Sequence, residues 1–315
     1  MPLAPEVDVV VLTFNTRDLT VEALRRLLDS DQRARLRLLV RDNASSDGTA
    51  AAIAAKVPEA ELEAGEENVG FAAGVNRLLT RSTAPWVLLL NSDAWPDEGA
   101  IGRMVEGLEA QPGAAALAPR IERPDGTLEH STHPFPSARV AAATAFAYHQ
   151  VGRRWGDRLL LEGYWHHDRS RAVDWAVGAA LLIRRAALDD VGPFDERFFM
   201  YAEDLEWCWR ARERGWTIWF DPAARVVHVG NASGQQNYGD RRTRAYMRNT
   251  YRFYRAAHAG PATALYRALN LAGTARRYAV ARARGQRPLA ARVRRELPVH
   301  VLPAGEGDGP AAVGR

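Results

Sequence analysis

Through the first third of the chain, short apolar runs alternate with stretches of helical periodicity. Residues 7–12 form an apolar run that reads as a buried parallel strand. In residues 18–28, Leu19, Ala23, Leu27 and Leu28 share one helical face. A second apolar strand at 36–40 runs into Arg41-Asp42-Asn43, then a turn cluster at 44–48 and an alanine-rich helix to Lys56. The spacing predicts a short helix at 71–80 and a strand at 86–90 that ends in Asn91-Ser92-Asp93. Pro96 and Asp97 are expected to open a helix to about Glu109, with another strand at 114–118. This βαβαβ order implies a parallel sheet with helices on both faces. Ligands of such sheets bind beyond the carboxyl ends of the strands. The polar clusters at 13–15, 42–47 and 91–93 all fall at those ends.

The pattern then changes. Residues 121–170 are rich in Pro, Gly, His and Arg with weak periodicity, and read as a hairpin plus irregular loops. A strand is expected over 173–183 with Gly178 inside it, a helix over 203–213, and two short strands around Asp221-Pro222. Further on, Arg244, Arg248, Arg252 and Arg255 share one helical face, and Tyr246, Thr250, Phe253, Tyr254 and Ala257 the other. That is a basic amphipathic helix. Gly260-Pro261 breaks it, and a second Arg-rich helix follows to about Arg284. Residues 303–315 are rich in Gly, Ala and Pro, a composition expected of a disordered tail.

Charge sharpens this division. The net charge is +4, yet residues 241–315 hold 16 arginines and three acids, while the rest of the chain is acidic by nine charges. An acidic body with a basic tail suits an anionic neighbour such as a membrane surface, although a solvated helix pair packed on its own domain has the same composition. Lys56 is the only lysine, so the preference for Arg reads as compositional bias. A single cysteine, Cys208, precludes an internal disulfide and fits a reducing cytoplasm. Residues 1–8 lack the features of a secretory signal, and no apolar run reaches the roughly 18 residues needed to span a bilayer.

Two common nucleotide motifs fail. The turn after the first strand reads Thr13-Phe14-Asn15-Thr16-Arg17, without a G-x-G-x-x-G, and no phosphate-binding G-x-x-x-x-G-K-[ST] occurs. Isolated carboxylates and amides stand at the strand ends instead. Asp42 either accepts from the imide N–H of a pyrimidine base or caps its own turn. Asp93 either holds a divalent cation against a diphosphate or completes an Asx turn. Glu203-Asp204 opens a tryptophan-rich helix; carboxylates there pair with the helix dipole, and in an aromatic cleft one of them can be a general base. His228, between Val227 and Val229, is a structural residue or a ligand.

The order of these residues carries more than any one of them. The blocks VVVLTFN (9–15), RDNASSDGT (41–49), ENVGFAAGVN (67–76), VLLLNSDA (87–94) and residues 173–216, with VVHVGNAS (226–233) as a weaker sixth, resemble the family 2 glycosyltransferases and most closely their rhamnosyltransferase-like branch. The resemblance implies a GT-A type α/β fold, a Rossmann-like and mostly parallel central sheet flanked by helices, here with a basic C-terminal helical extension. It implies that Thr13, Asn15 and Asp42 hold base and ribose, and that Asn68, Gly70 and Asn76 line the nucleotide pocket. Asp93 matches the last carboxylate of the family's DxD-type metal motif; the first position is Asn91 rather than aspartate, as is common in that branch. His228 matches a second ligand for Mg²⁺ or Mn²⁺. Asp204 matches the catalytic base, with Glu203 orienting it or the acceptor, and Trp175 and Gly178 fall where the acceptor approaches.

The resemblance therefore implies a metal-dependent, inverting transfer from a dTDP- or UDP-sugar, with dTDP-L-rhamnose the favoured donor. The acceptor would be a hydroxyl of a lipid-linked or cell-envelope glycan, or of a small natural product. Residues 1–120 would form the nucleotide-sugar half, 121–240 the acceptor and catalytic half, 241–302 the helical extension and 303–315 the tail. The expected location is cytoplasmic, peripheral to the membrane. A nucleic-acid-binding reading of the basic tail finds no recognised module, so no nucleic acid is expected. A nucleotide-sugar pyrophosphorylase lacks support because 13–17 is not a Gly-rich basic loop.

Overall fold

Strand β1 (Val7–Thr13) is buried along its length apart from half-buried Leu12, the condition of a strand covered by helices on both faces. In this computed structural model, which describes residues 6–30, 35–147, 153–230 and 242–301, the chain continues as a regular alternation. Helix α1 (Arg17–Asp29), β2 (Leu36–Asp42), α2 (Thr49–Lys56), β3 (Glu61–Ala64), α3 (Phe71–Leu79) and β4 (Trp86–Asn91) follow in turn. Then come β5 (Ala94–Pro96), α4 (Ala100–Glu109), β6 (Ala114–Glu122), β7 (Thr132–His133), α5 (Ala138–Ala142) and α6 (Arg153–Arg158). Strands β8 (Arg171–Val173), β9 (Trp175–Ala176) and β10 (Ala180–Arg184) precede α7 (Arg185–Val191), α8 (Glu203–Glu213) and β11 (Thr217–His228). Helices α9 (Arg242–Ala257), α10 (Gly260–Ala283) and α11 (Arg287–Val301) complete the described chain.

Two compact units result. One comprises described residues of 6–133, 167–199 and 203–230; the other comprises those of 134–166, 200–202 and 242–301. The first unit is built on a sheet ordered β3-β2-β1-β4-β10-β6-β11-β5, with β8 also against β11. β3, β2, β1 and β4 run parallel, as do β6 and β11. β10 lies antiparallel between β4 and β6. The sheet is thus mostly parallel and flanked by helices, with Val9, Val11, Leu24, Leu88, Met104 and Leu182 in one continuous core. Each such side chain contributes roughly 1.5–3 kcal/mol by leaving water.

Strand β3 and helices α5, α6 and α7 arise where the sequence pattern predicted none, and three further elements differ from their expected form. Pro96 ends strand β5 rather than opening a helix, and α4 starts at Ala100 after left-handed Gly99. β5 is the last strand of its sheet, where the missing N–H of a proline is tolerated. The expected strand over 173–183 is three short strands, because Trp175 pairs with His133 in a small separate sheet and Ala180 joins β4. The two short strands expected around Pro222 are one strand, β11, whose register against β6 shifts between Asp221 and Arg225. The proline interrupts the ladder with a bulge and does not end it.

In the second unit, Thr250, Tyr251, Phe253 and Tyr254 are the buried positions of α9. Tyr254 stacks on Tyr266 of α10 with centroids 4.2 Å apart, and Tyr251 meets the same ring edge-on. The sequence put Tyr246 on this face; it is exposed, since the buried stripe begins a turn later, and Tyr251 belongs to the stripe instead. Pro261 sits in the first turn of α10, where no N–H partner is needed. The buried His300 ring joins the helices: Nδ1 is 2.5 Å from the Tyr251 hydroxyl and Nε2 2.9 Å from that of Thr274. Arg255, Arg282, Arg284, Arg287, Arg292 and Arg294 are exposed. Among the described residues no helix is long and apolar enough to cross a membrane. Residues 231–233 of the sixth motif block and the 303–315 tail lie outside the described residues.

Candidate active site

The carboxyl end of β1 is fixed by hydroxyls. Thr13 is fully buried, its Oγ1 2.9 Å from Thr16 Oγ1 and 2.8 Å from Thr20 Oγ1. Thr16 passes the network to Ser92 at 3.0 Å, tying β1 and α1 to the residues after β4. Asn15 takes a left-handed conformation (φ 52°), which Asn tolerates better than most residues. Its N–H donates to Ser45 Oγ at 2.8 Å, and its Oδ1 accepts from the N–H of Ser46 at 2.8 Å. Asp42 lies opposite Thr13 in the β1–β2 register and accepts from both the hydroxyl and the N–H of Ser45. Asn15 and Asp42 therefore clamp one loop from two strands.

Buried Asn43, which the sequence reading did not single out, joins that loop to the next. It donates to Asn68 Oδ1 at 2.8 Å and accepts from the Val69 N–H at 3.2 Å. Asn68 Oδ1 also receives the Gly70 N–H. Gly70 has φ 87°, and a Cβ there would stand 2.5 Å from the Phe199 carbonyl oxygen, which already accepts from the Phe71 N–H. Asn76 is committed to a brace: its amide exchanges two hydrogen bonds with the Phe194 backbone and gives another to Glu196.

The end of β4 is the hub of the unit. Because β10 is antiparallel to β4, its beginning lies there, and the Asn91 N–H donates to the Ala179 carbonyl at 2.9 Å. One residue before, the Gly178 N–H donates to Asp204 Oδ2 at 3.0 Å, while Leu205 N–H donates to Oδ1 at 2.8 Å. This diversion of the Gly178 N–H into a side chain is why the strand breaks there. Glu203 is buried, and its Oε2 has no hydrogen-bond partner among the described residues. Burial, reinforced by the charge of Asp204, holds the Glu203 carboxyl well above the usual carboxylate range. Burial also raises Asp204, but the Gly178 and Leu205 N–H groups oppose it. Of the pair, Glu203 keeps the proton and Asp204 ionises first. Trp175 is buried with one face stacked on His133, centroids 4.6 Å apart.

On the other side of the hub, β11 pairs with β5 so that His228 lies opposite Ala94, and the Val229 N–H donates to the Asp93 carbonyl. His228 Nε2 comes within 3.2 Å of Asp93 Oδ1 and 3.2 Å of Asn91 Nδ2. Nδ1 is 3.0 Å from Glu129 Oε2. Burial pulls the imidazole pKa down, but bonds to Asp93 and Glu129 outweigh it and push it up to about 9. One carboxylate oxygen and one imidazole nitrogen within ligand–ligand reach fit a divalent cation, and a carboxylate behind the far ring nitrogen is the usual support of a ligating histidine. Among the described residues no three acidic, His or Cys side chains form a cage. Such a pair suits a cation completed by substrate phosphates. Glu129 had no sequence signal, because it lies in the aperiodic middle segment.

The profile described as "Glycosyl transferase family 2" matches residues 8–173. The N-acetylglucosaminyl-diphospho-decaprenol L-rhamnosyltransferase of Mycobacterium tuberculosis is 30% identical over 239 residues, covering 71% of this chain and 76% of that protein. The pre-mycofactocin glycosyltransferase of the same species is 31% identical over 159 residues, 50% of this chain and 30% of that protein. Among solved structures, the mannosyltransferase PcManGT from Pyrobaculum calidifontis, in complex with GDP-Man and Mn²⁺, matches with a TM-score of 0.59 and 21% identity, covering 95% of this chain and 81% of that one. At that identity the likeness is one of fold. With its GT-A fold and its similarity to rhamnosyltransferases, the chain belongs to glycosyl transferase family 2.

Proposed function

We propose that this glycosyltransferase moves a sugar, with inversion, from a nucleotide-sugar donor to a hydroxyl of a lipid-linked or cell-envelope glycan. The observation that carries the mechanism is the asymmetry of Glu203 and Asp204: one buried carboxyl with an unpartnered oxygen, the other held by two backbone N–H groups. Asp204 takes the proton of the acceptor hydroxyl as that oxygen attacks the anomeric carbon. The bond from that carbon to the diphosphate oxygen breaks on the opposite face, and the nucleoside diphosphate leaves. Glu203, keeping its proton, orients the acceptor or the base. The Asn15, Asp42, Asn68 and Gly70 loops shape the nucleotide pocket, with Thr13 and Asn76 bracing it, and Trp175 and Gly178 border the acceptor side. Asp93 and His228 would hold Mg²⁺ or Mn²⁺, which when bound neutralises charge on the diphosphate.

The donor is dTDP-L-rhamnose in this reading; similarity to the Mycobacterium tuberculosis L-rhamnosyltransferase supports L-rhamnose as the sugar and a polyprenyl-diphosphate-linked acceptor. The exposed arginines of α9 to α11 support a peripheral position on an anionic cytoplasmic membrane face. The test is release of nucleoside diphosphate from a panel of nucleotide sugars with Mn²⁺ or Mg²⁺, repeated with EDTA. Metal-dependent release from one donor is expected. Neither release nor binding of any donor would remove the reading.

A further inference from the structure

Directly before Glu203, two successive residues with side chains take left-handed backbone conformations: Tyr201 at φ 73° and Ala202 at φ 72°. Residues with a Cβ avoid this region because the Cβ crowds the following carbonyl, so a pair in sequence persists only where the surroundings hold it. Within the second unit, the hold is visible. Asn249 of α9 donates from its amide nitrogen to the carbonyl of Met200 at 2.8 Å and to that of Tyr201 at 3.2 Å. The same helix places the Arg242 guanidinium 5.7 Å from the centre of the Tyr201 ring. The two carbonyls are not arbitrary ones. That of Met200 belongs to the peptide plane whose rotation is φ of Tyr201, and that of Tyr201 to the plane whose rotation is φ of Ala202. A single amide therefore fixes both unusual torsions, and the chain passes from them straight into α8.

We propose that Asn249 is a positioning residue for the Glu203–Asp204 pair: it holds the two peptide planes of the left-handed turn that immediately precedes Glu203 in the chain. The inference rests on the assignment of Asp204 as the base. Asn249 acts through the turn and not on a reacting atom, and it lies outside residues 8–173 matched by the family profile.

The experiment compares the full-length protein with Asn249→Leu, close in volume and without donors, and with the double variant Asn249→Leu/Ala202→Gly. Amide exchange over residues 199–205 is read by mass spectrometry, beside kcat, KM and the Kd of the nucleotide sugar. In Asn249→Leu, exchange there should rise by about tenfold or more, as local opening becomes easier. kcat should fall by about 10²-fold, the scale of a small misplacement of a catalytic group, with the donor Kd unchanged. Ala202→Gly should recover about tenfold of that loss, because glycine adopts the left-handed region without penalty. Unchanged exchange, an unchanged kcat, or a loss that extends equally to donor Kd and is not relieved by Ala202→Gly would each overturn the proposal. A wild-type protein without turnover would bring down the assignment of Asp204 and this inference with it. Wild-type turnover with an unaffected Asn249→Leu variant would bring down this inference alone.

Discussion

His228 Nε2 faces Asp93 Oδ1 across 3.2 Å, and the far nitrogen of the same ring is backed by Glu129 at 3.0 Å. Asp93→Asn and His228→Ala should each weaken Mn²⁺ binding, measured by calorimetry or by the loss of free-ion EPR signal. Glu129→Gln removes only the support of the ring and should weaken binding about 10–100-fold. Wild-type affinity in Glu129→Gln would mean that the Glu129 contact is a surface pairing without a role in a metal site.

The carboxyl pair predicts different costs for its two members. Asp204→Asn should lower kcat by about 10²–10⁴-fold and leave donor binding in place. Glu203→Gln imitates a carboxyl that already carries a proton, so kcat at neutral pH should stay within a few-fold of wild type. Since the base must be ionised, activity should fall as pH drops through the Asp204 pKa, which burial raises from its ordinary value. Glu203→Gln, neutral like the protonated carboxyl it replaces, should leave this acid limb in place. An acid limb that moves to lower pH would show that Glu203 is ionised beside Asp204 and reverse the assignment of the proton.

Gly70 and Gly48 separate backbone strain from steric fit. Both have positive φ, 87° and 84°, but a Cβ at Gly48 meets nothing within 4 Å, whereas at Gly70 it collides with the Phe199 carbonyl. Gly48→Ala should cost roughly 1–2 kcal/mol, the left-handed penalty alone. Gly70→Ala should cost more, since the backbone around Phe199 must also shift. Denaturant melts showing equal losses would mean that the Phe199 segment yields freely.

His300 gives the helical unit a pH dependence. Burial, with Arg277 and Arg267 nearby, lowers its pKa to about 4, below its ordinary value of 6.5. The unfolded chain therefore binds this proton first. The stabilising effect is whole above pH 6.5 and is lost as pH falls toward 4, with no further change below that. Thermal melts from pH 7 to pH 4 should show a decline in melting temperature that is shallower in His300→Gln. Equal slopes would assign the decline to other groups.

β1, β2, β4 and β6 were legible because each is an apolar run largely buried in the sheet, whereas β3, half-buried to exposed and with Glu61 and Glu63 in its four residues, carried no such signal. The run at 7–12 is β1 to within a residue, and the helix read over 203–213 is α8. The polar clusters at 13–15, 42–47 and 91–93 do lie at adjacent strand ends, since Thr13 pairs with Asp42 and Leu12 with Asn91. What could not be read was how a strand runs once it is buried on both faces. An apolar run such as 180–184 carries no mark of direction, so the reversal of β10 was invisible. Periodicity equally had no access to Glu129 or Asn249, whose significance lies in partners 99 and 49 residues away.

That reversed strand bears on how the protein is made. β4 and β6 touch β10 but not each other, so the halves of the sheet share one splice. During synthesis β1 to β4 can assemble early, yet β6, finished at residue 122, must wait until residue 180 and beyond for the strand that joins it to the rest. Over that interval the ribosome-bound chain carries the open edge of β4 and both edges of β6, the setting in which strands pair with the wrong neighbour. Substitutions in β10 should therefore be felt in the yield of folded protein before they are felt in its stability.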